Sequence, residues 1–155
     1  MRIEQLYDQM YNDETTKSSD RFINIYESHK GITDGLTIEG NAEAHQQLMR
    51  LTADYAHHLT MKENYSKALP ELDKAIQLFK SYPEFKDRNL FKMEFYETLV
   101  FDRAVANYHL KRFSEATKSL KELVAEFPDN DKYKNWLSGA QTTLHEEKCV
   151  NEKRV

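Results

Sequence analysis

A chain of 155 residues, 39% hydrophobic and 31% charged, has the composition of a water-soluble globular domain large enough to enclose its own core. Its net charge of −4 lacks the basic excess that neutralises phosphates, so nucleic acid is excluded as an expected partner. Only four glycines and three prolines interrupt it, too few for the turns of a sheet protein, which points to long helices with short connections.

In chain order, Ile3, Leu6, Tyr7 and Met10 share one helical face, giving a short first helix that ends near Asn12 and Asp13. A second helix is expected from about Thr15 to Lys30, with Phe22, Ile25, Tyr26 and His29 on its stripe and Gly31 as its stop. The segment GITDGLTIEGN holds three of the four glycines and reads as the longest loop. Asn41 then caps a long helix to about Lys62, whose inner face is Leu48, Leu51, Tyr55, Ala56 and Leu59. After a short turn, Ser66 opens a helix striped by Leu69, Leu72, Ala75, Ile76 and Phe79, with Pro70 near its first turn and Pro83 at its close. Two more helices follow, about Leu90 to Lys111 and Ser114 to Phe127. A last one, capped by Asp129 or Asn130, runs from about Lys132 to Lys148 with Tyr133, Trp136, Leu137, Ala140 and Leu144. The expectation is an all-α fold of about seven helices, arranged as stacked antiparallel hairpins in a single domain.

One signature occurs twice: NYSKALPELDKAI from Asn64 to Ile76, and RFSEATKSLKELV from Arg112 to Val124. Each copy has a turn aromatic (Tyr65, Phe113), a serine, a charged residue and an opening alanine (Ala68, Ala116). Helices joined by so short a turn run antiparallel and pack closely, which demands small residues at the crossing. Ala56 with Ala68, and Ala104 with Ala116, supply them. Stacking such units buries their remaining apolar faces.

In these residues, together with Ala75 and the terminal Pro128, the chain resembles the tetratricopeptide-repeat (TPR) family over about Leu48 to Leu144. Residues 42–82 and 92–128 read as two degenerate repeats, joined by a connection at 83–91. Residues 1–30 read as an N-terminal hairpin followed by a loop at 31–41, residues 129–148 as a capping helix and 149–155 as a tail. The opening alanines stand 48 residues apart, more than the roughly 34 of a simple repeat.

The resemblance implies a TPR-like α-solenoid that binds a protein or peptide segment in a concave groove lined by the first helix of each unit. Carried over position by position, the groove takes Arg50, Ala53, Asp54, His57, Thr60 and Met61 from one helix. The next gives Thr98, Phe101, Asp102, Val105, Tyr108 and His109, and the cap gives Lys132, Asn135 and Trp136. Phe101 and Tyr108 are the expected hot spots, although rings on a helical stripe serve equally as core between hairpins. The chaperone-tail clamp of the family is disfavoured, because Ala53, His57 and Asp102 stand where it needs lysine and asparagine.

No phosphate loop, nucleophile elbow or buried-looking carboxylate pair suggests catalysis, and Cys149 lies among glutamates that discourage a thiolate. Asp54 and His58 are one turn apart but have no third ligand at a telling spacing, so neither metal nor cofactor is expected. The reading is therefore a noncatalytic adaptor. Its rivals are a homodimer built on the apolar helix faces and a small helical enzyme or metal protein. The single cysteine and the absence of a membrane-length apolar run favour a cytoplasmic location without membrane contact. A soluble segment of a longer membrane-linked protein fits the same features.

Overall fold

A computed structural model of the chain describes residues 1–13 and 17–153. Among these residues it is all-helical, with eight α-helices: α1 Ile3–Asn12, α2 Ser19–Ser28, α3 Lys30–Asp34, α4 Ala42–Met61, α5 Tyr65–Ser81, α6 Tyr96–His109, α7 Phe113–Glu126 and α8 Asp131–Lys153. The residues expected to begin the second helix, near Thr15, lie outside the described residues. Helices α4 to α8 pack each against the next, while α1 and α2 lie on α4. The predicted stripes of α4 and α5 are all buried, and Ala56, Ala68, Ala104 and Ala116 have no exposed surface at all.

The repeated signature is a repeated turn. Lys62 and Leu110 end α4 and α6, and the residues after them, Glu63 and Lys111, are left-handed with φ of 60° and 62°. In the first turn the Glu63 N–H donates to the Thr60 carbonyl and the Asn64 N–H to that of Leu59. In the second, Lys111 donates to Tyr108 and Arg112 to Asn107. Both are Schellman closures, which satisfy the last carbonyls of a helix and reverse the chain. The carbonyls of Asn64 and Arg112 then accept from the N–H groups of Ala68 and Ala116, so the same six residues end one helix and start its partner.

Stacking of the hairpins places α1, α4, α6 and α8 side by side, all pointing the same way. Tyr7 meets Arg50 and Tyr11 meets Asp54, both 43 positions apart. His57 meets Asp102, 45 positions on. Phe101 then lies against Tyr133 and Trp136 of α8. With Arg50 on Phe95 before His57 on Asp102, and Phe101 on Tyr133 before Tyr108 on Trp136, the partners ascend together in each step, which makes neighbouring helices of the row parallel. Second helices α2, α5 and α7 return the chain between them.

Several boundaries differ from expectation for local reasons. Gly31 does not stop the second helix. The break falls at His29, whose ring Nδ1 lies 2.8 Å from the Ile25 carbonyl, and the chain re-enters a helical turn, α3, where a loop was expected. Lys30 holds that turn to Glu71 at 3.2 Å. Pro70, expected near the first turn of α5, sits inside the helix in its second turn, on the exposed side. The helix expected from Leu90 starts only at Tyr96. The Asn89 side chain caps the Phe91 N–H at 3.0 Å, one 3-10 turn follows at Leu90–Lys92, and Phe95 turns left-handed with φ 73°. The last helix runs past Lys148 to Lys153, so the expected tail is helical as far as it is described.

The two Schellman turns use residues with a Cβ where glycine is favoured. A left-handed backbone costs an L residue roughly 1–2 kcal/mol, of which glycine's extra chain entropy takes back roughly 0.5–1. Lys111→Gly is therefore expected to stabilise by about 0.5–1 kcal/mol, a rise of about 1–4 °C in thermal midpoint for a chain of this size. Calorimetry of Lys111→Gly beside Lys111→Ala checks it, since alanine keeps the strain.

Candidate functional site

The positions expected to line a groove fall into three groups along the row of parallel helices. At the first, α1 covers α4. Its Tyr7 and Tyr11 are one turn apart on the same face, and they meet Arg50 and Asp54, which are one turn apart on theirs. The Arg50 Nη1 donates to the Tyr7 hydroxyl at 3.1 Å, while its guanidinium lies 4.2 Å from the Tyr11 ring centre. The Tyr11 hydroxyl donates to the Asp54 carboxylate. Burial pushes the Asp54 carboxyl above the usual carboxylate range, against the Tyr11 hydrogen bond and the Arg50 charge. Burial also raises the Tyr11 phenol, which holds its proton as the donor of this bond.

In the middle, His57 of α4 and Asp102 of α6 join at 2.7 Å. Asp102 is only 6% exposed, so it does not present its carboxylate to an open groove; it braces two neighbouring helices. The hydrogen bond from His57 to Asp102 raises the imidazole above its ordinary value, in spite of partial burial. Burial raises Asp102, and the His57 contact opposes that shift. His58, on the next position of α4, turns instead toward α2, where its Nδ1 is 2.8 Å from the Ser19 hydroxyl and its ring packs on Phe22. Burial lowers its pKa.

At the third group, Phe101, Tyr108 and Trp136 form one ring cluster. Phe101 and Tyr108 both meet Trp136 edge to face, at 5.8 and 5.4 Å between centres. Lys132 sets its amine 4.4 Å from the Phe101 ring centre. Phe101 is thus spent on the α6–α8 contact, whereas Tyr108, Trp136, Asn135 and Gly139 line an open cavity of about 270 Å³. Beside it, Val105 is half-buried and His109 exposed, the latter stacked on the turn aromatic Tyr65 at 4.4 Å. Met61 is 65% exposed. Ala53 and Thr60, carried into the groove by position, are buried, and the Thr60 hydroxyl donates to the Ala56 carbonyl.

Three ionisable side chains that neighbour one another in sequence, Asp54, His57 and His58, therefore face three different partners. Among the described residues no group of three or more His, Cys, Asp or Glu side chains converges on a metal position, and no helix is long and apolar enough to cross a membrane. No family model, curated protein or solved structure matches the chain.

Sequence reasoning missed the docking of α1 on the face of α4 that carries Arg50 and Asp54. The signal was available in the four-residue spacing of Tyr7 and Tyr11, which matches that of Arg50 and Asp54. It also missed a second cavity, between α1, α4 and the segment 83–95, where Phe85, Met93 and Phe95 of an otherwise polar connection line the wall.

The His57–Asp102 brace has a pH signature. His57 has a folded pKa above its ordinary 6.5, so its contribution to stability is complete below that value and is lost as pH rises through the raised one. The thermal midpoint is expected to fall across that alkaline step. In Asp102→Asn the step is expected to vanish, and NMR titration of the His57 ring is expected to return toward the ordinary midpoint.

Proposed function

We propose that this chain is a TPR-type interaction module, noncatalytic, that receives a peptide or helical segment of another protein along the α6–α8 end of its row of parallel helices. The observation that carries the reading is the open cleft of Tyr108, Asn135, Trp136 and Gly139. It is a shallow aromatic depression with a polar edge on an all-helical stack. Tyrosine and tryptophan supply much contact area at little entropic cost, and such rings beside polar groups are the usual anchors of an interface. Val105, one turn before Tyr108 on α6, and His109, edge-on to the Tyr108 ring, adjoin it. Arg50 and Asp54 stand apart from it, because α1 already occupies their face.

The parallel row supports the TPR reading, since each step repeats the relation of a first helix to the next. Steps of 43 and 45 positions exceed the family's roughly 34, and the step from Phe101 to Tyr133 and Trp136 comes close to it. The partner-binding end is then the end with the most regular repeat.

Phe101→Asp is a poor test, because its ring fills the α6–α8 contact. Asn135→Glu and Tyr108→Ser alter the cleft at its rim and wall. A partner captured by the wild type is expected to bind the double variant at least about 30-fold more weakly, the equivalent of about 2 kcal/mol for a lost anchor. Circular dichroism verifies that both proteins are folded. Equal affinity would move the binding surface elsewhere.

A further inference from the structure

The cavity beside segment 83–95 has features that the interaction reading does not use. Its floor is apolar: Met49 and Phe79 from α4 and α5, with Phe85, Met93 and Phe95 from the connection. Its rim carries one cation, Arg50, one anion, Glu94, and the amide of Gln46. Among the described residues, neither Arg50 nor Glu94 has an ion-pair partner within 4.0 Å. The nearest acid along α4, Asp54, gives its carboxylate to Tyr11. Arg50 is instead held in place by the Tyr7 hydroxyl and by the faces of Tyr11 and Phe95, the latter 6.0 Å away. Phe95 reaches the cavity wall only through a left-handed backbone, a strained conformation for an aromatic residue. A cation held by aromatic side chains and an exposed anion, Glu94, thus share the mouth of a small apolar chamber, and neither is in an ion pair, the Asp54 charge reaching Arg50 only from beyond that range.

The volume, about 210 Å³, falls below the roughly 300–1,000 Å³ of pockets for drug-sized ligands. A purely anionic guest would meet Glu94, and a purely cationic one would meet Arg50. A guest with both charges and an apolar body satisfies the two at once. We infer that this cavity binds a free hydrophobic α-amino acid, its carboxylate on Arg50, its ammonium on Glu94 and its side chain among Phe79, Phe85 and Met93. The site does not rest on the interaction reading, as it lies at the opposite end of the row from the Tyr108–Trp136 cleft.

Titration calorimetry with L-phenylalanine and L-leucine tests it on the full chain. Saturable binding is expected for at least one of them. 3-Phenylpropionate, which lacks the ammonium, and phenethylamine, which lacks the carboxylate, are each expected to bind at least about tenfold more weakly than phenylalanine. Glu94 is exposed, so Glu94→Gln leaves the fold intact. It is expected to weaken the amino acid by about tenfold while leaving 3-phenylpropionate no weaker than before. Absence of heat from both amino acids at about 10 mM, with the protein folded, overturns the proposal. Equal binding of the one-charge analogues overturns it too, as does an unchanged affinity in Glu94→Gln. Retention of partner capture alongside any of these results separates the failure of this site from that of the cleft.

Discussion

The close approach of paired helices is what everything else hangs on. Ala56, Ala68, Ala104 and Ala116 are completely buried, and a larger side chain at any of them would hold two axes apart. Because those pairs lie close, their turns can be three residues long, and each turn can close one helix and open the next with shared hydrogen bonds. Because both turns have the same geometry, the hairpins stack in the same sense, and their first helices fall into a parallel row. The row in turn fixes which side chains meet across it: Tyr7 with Arg50, His57 with Asp102, Phe101 with Trp136.

Those cross-row contacts change character along the stack. At the α1 end they are tyrosines holding charges, in the middle an acid and a base, and at the α8 end aromatic rings. Each is a way of covering polar or flat surface that a simple apolar stripe would leave exposed. A buried acid such as Asp102 is costly unless paired, so its meeting with His57 ties helix placement to protonation. The ring cluster at the α8 end carries no such dependence, which suits it to form the wall of an open cleft.

Much of this architecture was legible in the sequence because it rests on local periodicity. The stripes of α4 and α5, the small residues at the crossings and the two turns all declare themselves within one or two helical turns of chain. Where long-range contacts decide, the reading failed. Gly31 looks like a helix stop, yet the break comes two residues earlier, at His29, where the ring lies against a carbonyl of its own helix. The apolar run from Leu90 reads as helix, yet the Asn89 cap and the packing of Phe91 on Tyr96 and Phe127 hold it out of one. For the site, groove positions could be named by counting, but counting does not reveal that α1 covers Arg50 and Asp54, or that Asp102 is buried. Both depend on which helix lies next door.

The tight turns at 62–64 and 110–112 lie at one edge of the stack, and the longer links at 35–41 and 82–95 at the other, since successive helices alternate in direction. The first edge is therefore tied from both sides: an added residue there would have to break capped ends on two helices at once. The second edge carries the slack. Length can vary there without touching the pairing of helices, and any new loop inserted near Lys86 or Asp87 would hang over the same chamber that Phe95 walls. The molecule thus has a conservative margin that keeps its shape and a permissive one on which new specificity can be tried, and its most unusual backbone, at Phe95, lies on the permissive side.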